Sequence, residues 1–206
     1  MNRMPVIVIG IFLTFLASWI GLVAYPYLAL GRFLPVTDEA TGDINPPPLS
    51  GLAVAGQRVY ASAGCVYCHS QQVRQVGFGS DLERGWGARP TVARDYMREN
   101  PVFLGTMRTG PDLANIGARQ SSAMWHHQHL YQPAAVNPGS IMPSFRYLYR
   151  TQKIQGQRSA RAIDLLPPDV PPDGYEVVPT RDAEALVAYL LSLKRNYPLP
   201  EATEPQ

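Results

Sequence analysis

The sequence predicts a mainly α protein: a single N-terminal transmembrane helix followed by a helical domain with long loops. Three observations carry this. Met4 to Gly31 contains no charged residue, and Val6 to Ala24 is almost wholly apolar. The only two cysteines lie in Cys65-Val66-Tyr67-Cys68-His69, directly behind a short helical pattern. Thr180 to Lys194 places Leu186, Tyr189, Leu190 and Leu193 on one helical face, with acids in its first turn and cations at its end.

At ~1.5 Å per residue the N-terminal stretch crosses a ~30 Å hydrocarbon core with length to spare. A secretory signal has a shorter apolar region before a small-residue cleavage site. The chain begins at Met1, and the span is expected to be retained. Trp19, Tyr25 and Tyr27 suit either a membrane interface or packing against neighbouring helices. Arg3 and Arg32 flank the span one on each side, so charge asymmetry does not orient it.

The expected organisation is an anchor over 1–32, a proline-rich, non-regular tether over 33–52, one domain over 53–200 and a short tail over 201–206. Arg32 onward holds 17 of the 18 Lys+Arg and all 16 acids, a formal +1 that excludes a strongly basic nucleic-acid binder. Charge is nevertheless uneven. No acid occurs between Asp112 and Asp164, whereas Arg119, Arg146, Arg150, Lys153, Arg158 and Arg161 do. That segment is either a face for an acidic partner or lipid headgroups, or a solvated surface paired from elsewhere in the fold.

Residues 53–63 read as a helix closed by Gly64, and it delivers the cysteine motif. Cys-x-x-Cys-His is the spacing at which two thiols capture both vinyl groups of a haem while the adjacent imidazole ligates iron. With no third cysteine, thioether attachment uses the whole thiol inventory. A thioredoxin-type redox pair would instead follow a strand, and a zinc site would have to recruit His126, His127 or His129.

Thr91 to Glu99 is expected to form a short helix stopped at Asn100-Pro101. Gly110-Pro111-Asp112-Leu113 is a turn feeding a brief helix. A ligating imidazole commonly donates its second N–H to a backbone carbonyl, which makes the Pro111 carbonyl the candidate acceptor for His69. Gln120 to Tyr131 reads as a helix carrying Trp125 and the three histidines, which suit a surface or interface better than iron ligation. Met142, followed by Pro143, lies in a loop where its thioether is available as a sixth ligand. His/Met coordination leaves no open iron position and suits electron transfer. Phe145 to Pro179 reads as a long proline-rich excursion that docks a partner or covers the haem edge. The Thr180–Lys194 helix should cross the helix preceding the cysteine motif.

Several stretches in this order identify a relative. Cys68-His69-Ser70-Gln71 with Arg74, then Arg108-Thr109-Gly110-Pro111-Asp112-Leu113, Trp125-His126-x-x-His129-Leu130, Met142-Pro143 and the final helix stand behind one N-terminal span. The chain resembles the monohaem subunit (subunit II) of cbb3-type cytochrome c oxidases over nearly its whole length.

The resemblance implies a class I cytochrome c-like domain with one covalently bound haem c, Cys65 and Cys68 as thioether attachments, His69 as proximal ligand and Met142 as distal ligand. It implies a non-catalytic electron relay, with a haem-copper catalytic subunit, a further c-type cytochrome subunit and membrane lipid as partners, and no nucleic acid. It also implies a bacterial inner-membrane location with the N-terminus cytoplasmic and the haem domain periplasmic. Arg74, Arg108 and Arg119 are candidates to neutralise the propionates, with Arg119 retained as cofactor-binding. Gln75-Val76-Gly77 departs from the family pattern, and the 145–179 excursion is longer than expected. A nitric oxide reductase cytochrome subunit, a haem-based sensor or peroxidase, and a structural assembly subunit are the competing functions.

Overall fold

The computed structural model describes residues 3–202, and of Leu30 the backbone. Met1, Asn2 and residues 203–206 of the expected tail lie outside the described residues. The chain divides into two compact units, Met1–Pro35 and Val36–Gln206.

The first unit is helical from α1 (Met4–Trp19) through a π-helical turn (Ile20–Ala24) into α2 (Tyr25–Leu30). Pro5 and Pro26 sit in the first turns of α1 and α2, where no intrahelical N–H is lost. Continuous helix runs over Met4–Ala29, long and apolar enough to cross a membrane, and none of it is buried within the chain. Its side chains are apolar all round, as lipid contact requires and a soluble amphipathic helix does not. Thr14 returns its hydroxyl to the Gly10 carbonyl at 2.9 Å, so its one polar group is satisfied within the helix.

The second unit begins with a two-residue antiparallel pair, β1 (Val36–Thr37) and β2 (Ile44–Asn45), within the stretch expected to be an irregular tether. Asn45 is buried and the Pro46 carbonyl accepts from Arg98 Nε at 2.8 Å. Part of the tether is therefore folded onto its own unit, a tertiary contact that proline content alone does not reveal.

Helix α3 (Gly51–Ser62) starts at Ser50, whose Oγ accepts from Ala53 N at 3.2 Å, and ends at Gly64 with φ 74°. Helix α7 (Arg181–Ser192) starts at Thr180, whose Oγ1 accepts from Ala183 N at 3.3 Å, with Asp182 and Glu184 in the first turn. The two helices cross where Gly56 meets the Ala185 backbone, and any Cβ at 56 would stand 2.8 Å from Tyr189 Cβ. Tyr60 packs edge-on to Tyr189 at 5.4 Å and against Phe103 at 5.5 Å. Leu130, Phe145, Leu148, Ile163, Val177, Leu186 and Leu190 complete this core.

Between these helices lie α4 (Ile116–Arg119), α5 (Ala123–Tyr131) and α6 (Pro133–Val136). Only Ala93–Tyr96, a single 3-10 turn, is helical in the stretch expected to be a longer helix. Asp95 explains the truncation: its carboxylate accepts from Val92 N and from both ends of the Arg89 guanidinium, so the segment is held by side chains rather than by a helical ladder.

The 145–179 excursion is also more ordered than its prolines suggest. Strands β3 (Tyr149–Lys153) and β4 (Tyr175–Pro179) pair antiparallel in register Tyr149↔Pro179 to Lys153↔Tyr175. Ile163 bridges back to Val177, and Thr180 closes the stem through Oγ1 to the Leu148 carbonyl at 2.8 Å. The ribbon is therefore a two-stranded arm pinned at its base.

Candidate functional site

The cysteine motif follows Gly64 as a 3-10 turn, Cys65–Tyr67. His69 N donates to the Cys65 carbonyl at 3.0 Å, so the motif coils and carries the imidazole back over the same turn as the thiols. Cys65 is half-buried at the edge of the core and Cys68 is exposed; both are free thiols. Burial pushes the Cys65 thiol up to about 11. It is therefore protonated and poorly nucleophilic at neutral pH, unlike the activated cysteine of a dithiol oxidoreductase.

Residues 68–71 are zipped to 104–113. Gly110 N donates to the Cys68 carbonyl at 2.9 Å, Leu113 N to the Ser70 carbonyl at 2.8 Å, and Gln71 N to the Leu104 carbonyl at 2.9 Å. This ladder presents the Pro111 carbonyl to His69, 2.7 Å from Nδ1. Nδ1 is thereby the protonated nitrogen and Nε2 keeps its lone pair for a metal. Burial holds the imidazole below its ordinary range, against the pull of the Pro111 carbonyl and the Asp112 charge. Gly110 lies flat against the ring: a Cβ there would fall 2.7 Å from Nδ1 and 2.8 Å from Nε2. Only glycine allows the loop this close.

Behind the ladder stands a web that sequence reasoning missed. Asp112 is fully buried and accepts from Ser70 Oγ at 2.6 Å, Gln72 N at 2.7 Å and Ala114 N at 2.8 Å. Arg108 lies 3.7 Å from the same carboxylate and donates to Ser70 Oγ at 2.7 Å. Arg108 and Arg74 also converge on buried Asp81, at 2.6 and 3.1 Å. Burial would raise the Asp81 carboxyl, but hydrogen bonds from the two arginines hold it below its ordinary range. Arg74 and Arg108, candidates for the propionates, both pair with Asp81. The legible signal was the aspartate following Gly110-Pro111, a buried acid needing partners.

Arg119, at the end of α4, donates to the Asp112 carbonyl and forms no ion pair among the described residues. Of the other cations in the acid-free segment, Arg146, Arg158 and Arg161 pair with Asp169, Asp164 and Glu184, so half of its six cations are neutralised from within the fold.

Helix α5 starts at Ser122, whose Oγ accepts from Trp125 N at 3.2 Å. His126 Nε2 lies 2.9 Å from the Gln120 carbonyl, and His127 Nδ1 lies 3.1 Å from Tyr149 Oη. His129 stacks on Trp125, with ring centres 4.7 Å apart and planes 6° from parallel. Past α5 the chain returns with Met142 in a loop. Met142 N donates to Ser140 Oγ at 3.3 Å, Ser144 bonds Gln132, and Phe145 N donates to the Leu130 carbonyl at 2.8 Å. Met142, Cys65, Val66 and Leu113 pack against one core cluster.

This donor set fits a covalently attached haem: an imidazole with its second nitrogen anchored, a loop thioether and two free thiols one turn apart. Apolar side chains adjoining these donors in sequence stand exposed, Tyr67 at 73% and Ile141 at 80%, a surface suited to a porphyrin. Among the described residues no group of three or more His, Cys, Asp or Glu is placed to hold a metal ion, so the histidine helix and the thiols do not assemble a zinc site.

No curated protein matches the chain closely enough to be named a relative. The model of the family described as FixO, cytochrome C oxidase, mono-heme subunit, matches residues 36–171, from β1 through Met142 into the arm. The chain belongs to this family: it is the mono-haem subunit of a cbb3-type cytochrome c oxidase, a membrane oxidase subunit that carries one haem c and passes electrons.

Proposed function

We propose that His69 and Met142 are the two axial ligands of the haem iron and that Cys65 and Cys68 hold the group through thioethers. The observation that supports this is the His69 Nδ1 contact to the Pro111 carbonyl, which leaves the Nε2 lone pair free for the iron. When bound, the haem supplies one-electron redox chemistry, and the chain's residues tune and protect it. Gly110 and the 68–71/104–113 ladder hold the imidazole orientation. The Met142 loop, fastened to α5, would supply the second donor, a pairing with His69 suited to electron transfer rather than to oxygen or peroxide chemistry. A relay needs both; a sensor or peroxidase needs the second to be labile.

The domain faces the periplasm of a bacterial inner membrane, with the N-terminus cytoplasmic, because haem is joined to Cys-x-x-Cys-His chains on that side. Its partners in the oxidase are the haem-copper catalytic subunit, which receives the electron, and a further c-type cytochrome, which supplies it. Lipid surrounds the 4–29 helix.

The test is Met142→Ala in the intact complex. The expected result is a haem still covalently attached that becomes open to carbon monoxide and has a lower potential. Oxygen uptake from a c-type donor falls, while uptake from a small reductant that reaches the catalytic subunit directly persists. An unchanged spectrum and potential would remove Met142 as a ligand.

A further inference from the structure

His129 is the histidine that neither the fold nor the ligand set accounts for. His126 and His127 each have a hydrogen-bond partner. In His129, Nδ1 is sealed from solvent with no partner among the described residues. A buried polar group left unpaired costs about 1–3 kcal/mol, and an orphaned buried N–H is rarer in folded proteins than an under-satisfied acceptor. The ring proton therefore sits on Nε2, which is neither sealed nor hydrogen-bonded among the described residues. The outcome is a ring locked flat on Trp125, with an N–H available at Nε2.

Its placement narrows the acceptor. At its start, α5 is tied through His126 to the Gln120 carbonyl, next to Arg119; at its end it is tied through Leu130 and Gln132 to the Met142 loop. His129 lies on the second half of that helix and within electrostatic reach of His69. It is not equipped as an iron ligand, because a ligating imidazole anchors its other nitrogen, as His69 does and His129 does not. The haem periphery is apolar apart from two carboxylates, and a lone N–H facing it has only those as acceptors.

We propose that His129 is a haem-contacting residue whose Nε2–H donates to a propionate and thereby raises the haem's reduction potential. This rests on His69 and Met142 as axial ligands. A hydrogen bond to the carboxylate draws negative charge away from the iron, which disfavours the ferric state.

The test uses the intact oxidase with three variants, read first by the axial-ligand spectrum and then by redox titration of the c-type haem. His129→Phe keeps the stack on Trp125 and removes both nitrogens. His129→Gln places an amide N–H where Nε2 stands, whereas His129→Asn reaches only the Nδ1 position. The expected result is an unchanged His/Met spectrum in all three. The reduced-to-oxidised ratio at fixed potential should fall about three- to tenfold in Phe and Asn, the upper figure corresponding to about 59 mV for one electron, and return to wild type in Gln. If Phe fails to load haem, Gln against Asn decides alone. Equal shifts in Gln and Asn, or no shift in Phe and Asn, would overturn the proposal and leave His129 a packing residue. Loss of the six-coordinate spectrum in all three would make His129 a ligand, overturning both the proposal and the assignment of Met142.

Discussion

Gly110→Ala asks whether the contact between this loop and His69 governs the ligand. A Cβ at 110 falls within 2.8 Å of both ring nitrogens, closer than the 3.0 Å that real Cβ atoms keep, and the obstacle is a ring held by its own hydrogen bond rather than a flexible chain end. Either the ring tilts, lengthening the 2.7 Å contact to Pro111, or the loop retreats and strains the Gly110 N to Cys68 carbonyl bond. Each route sacrifices one hydrogen bond at a half-buried polar group, about 1–3 kcal/mol of stability. A less anchored imidazole is also a less basic ligand, so it stabilises ferric iron less and the potential rises. Urea unfolding and redox titration of the haem-loaded complex measure both effects. Gly51→Ala is the control, because its Cβ meets nothing within 4 Å. A Gly110→Ala protein with wild-type stability, spectrum and potential would refute the claim that this glycine sets the ligand.

Asp112→Ala strips the acceptor from Ser70 Oγ, Gln72 N and Ala114 N and leaves Arg108 short of a partner. Breaking a buried pair of this kind costs about 3–5 kcal/mol, read as a lower urea midpoint, with Asp112→Asn milder. Gly56→Ala drives a Cβ to 2.5 Å from the Ala185 carbonyl carbon, and should destabilise the α3/α7 crossing by about 1–3 kcal/mol or more without altering the haem spectrum of the protein that remains folded. Acid sensitivity follows from the histidines: burial lowers both His127 and His129 to about 4. The unfolded chain therefore binds more protons between the ordinary imidazole value and 4, so stability is present above pH 6.5, falls as pH drops through that window and levels off below it. Unfolding free energy measured from pH 7.5 to 5 should show this slope, and His127→Phe should flatten it by about one proton.

Much of the site was legible because its chemistry is written in consecutive residues. Cys65 to His69 names its group by spacing, Gly110-Pro111 lies in a turn whose carbonyl can reach an imidazole, and Met142-Pro143 keeps a thioether out of a helix. The helices α3, α5 and α7 were likewise visible, through Gly64 after the first, helical spacing in the second and Thr180 with apolar periodicity in the third. What escaped depends on residues far apart in the chain. Strands β3 and β4 are separated by 21 residues, too many for a hairpin-turn signal, and their pairing is fixed by Ile163 and the Thr180 closure. Nothing local reveals that Asp81 is buried and paired with both Arg74 and Arg108. The Ala93–Tyr96 turn was overextended because Asp95 answers to Arg89 rather than to a helix.

If this subunit relays electrons through its single haem toward oxygen reduction, that haem must turn over with the complex. The direct measurement is to mix the fully reduced intact complex with oxygen and follow the c-type haem optically through one turnover. This haem is expected to oxidise within the turnover and to be slowed or bypassed in Met142→Ala. Oxygen consumed at the full rate while the subunit's haem stays reduced would contradict it.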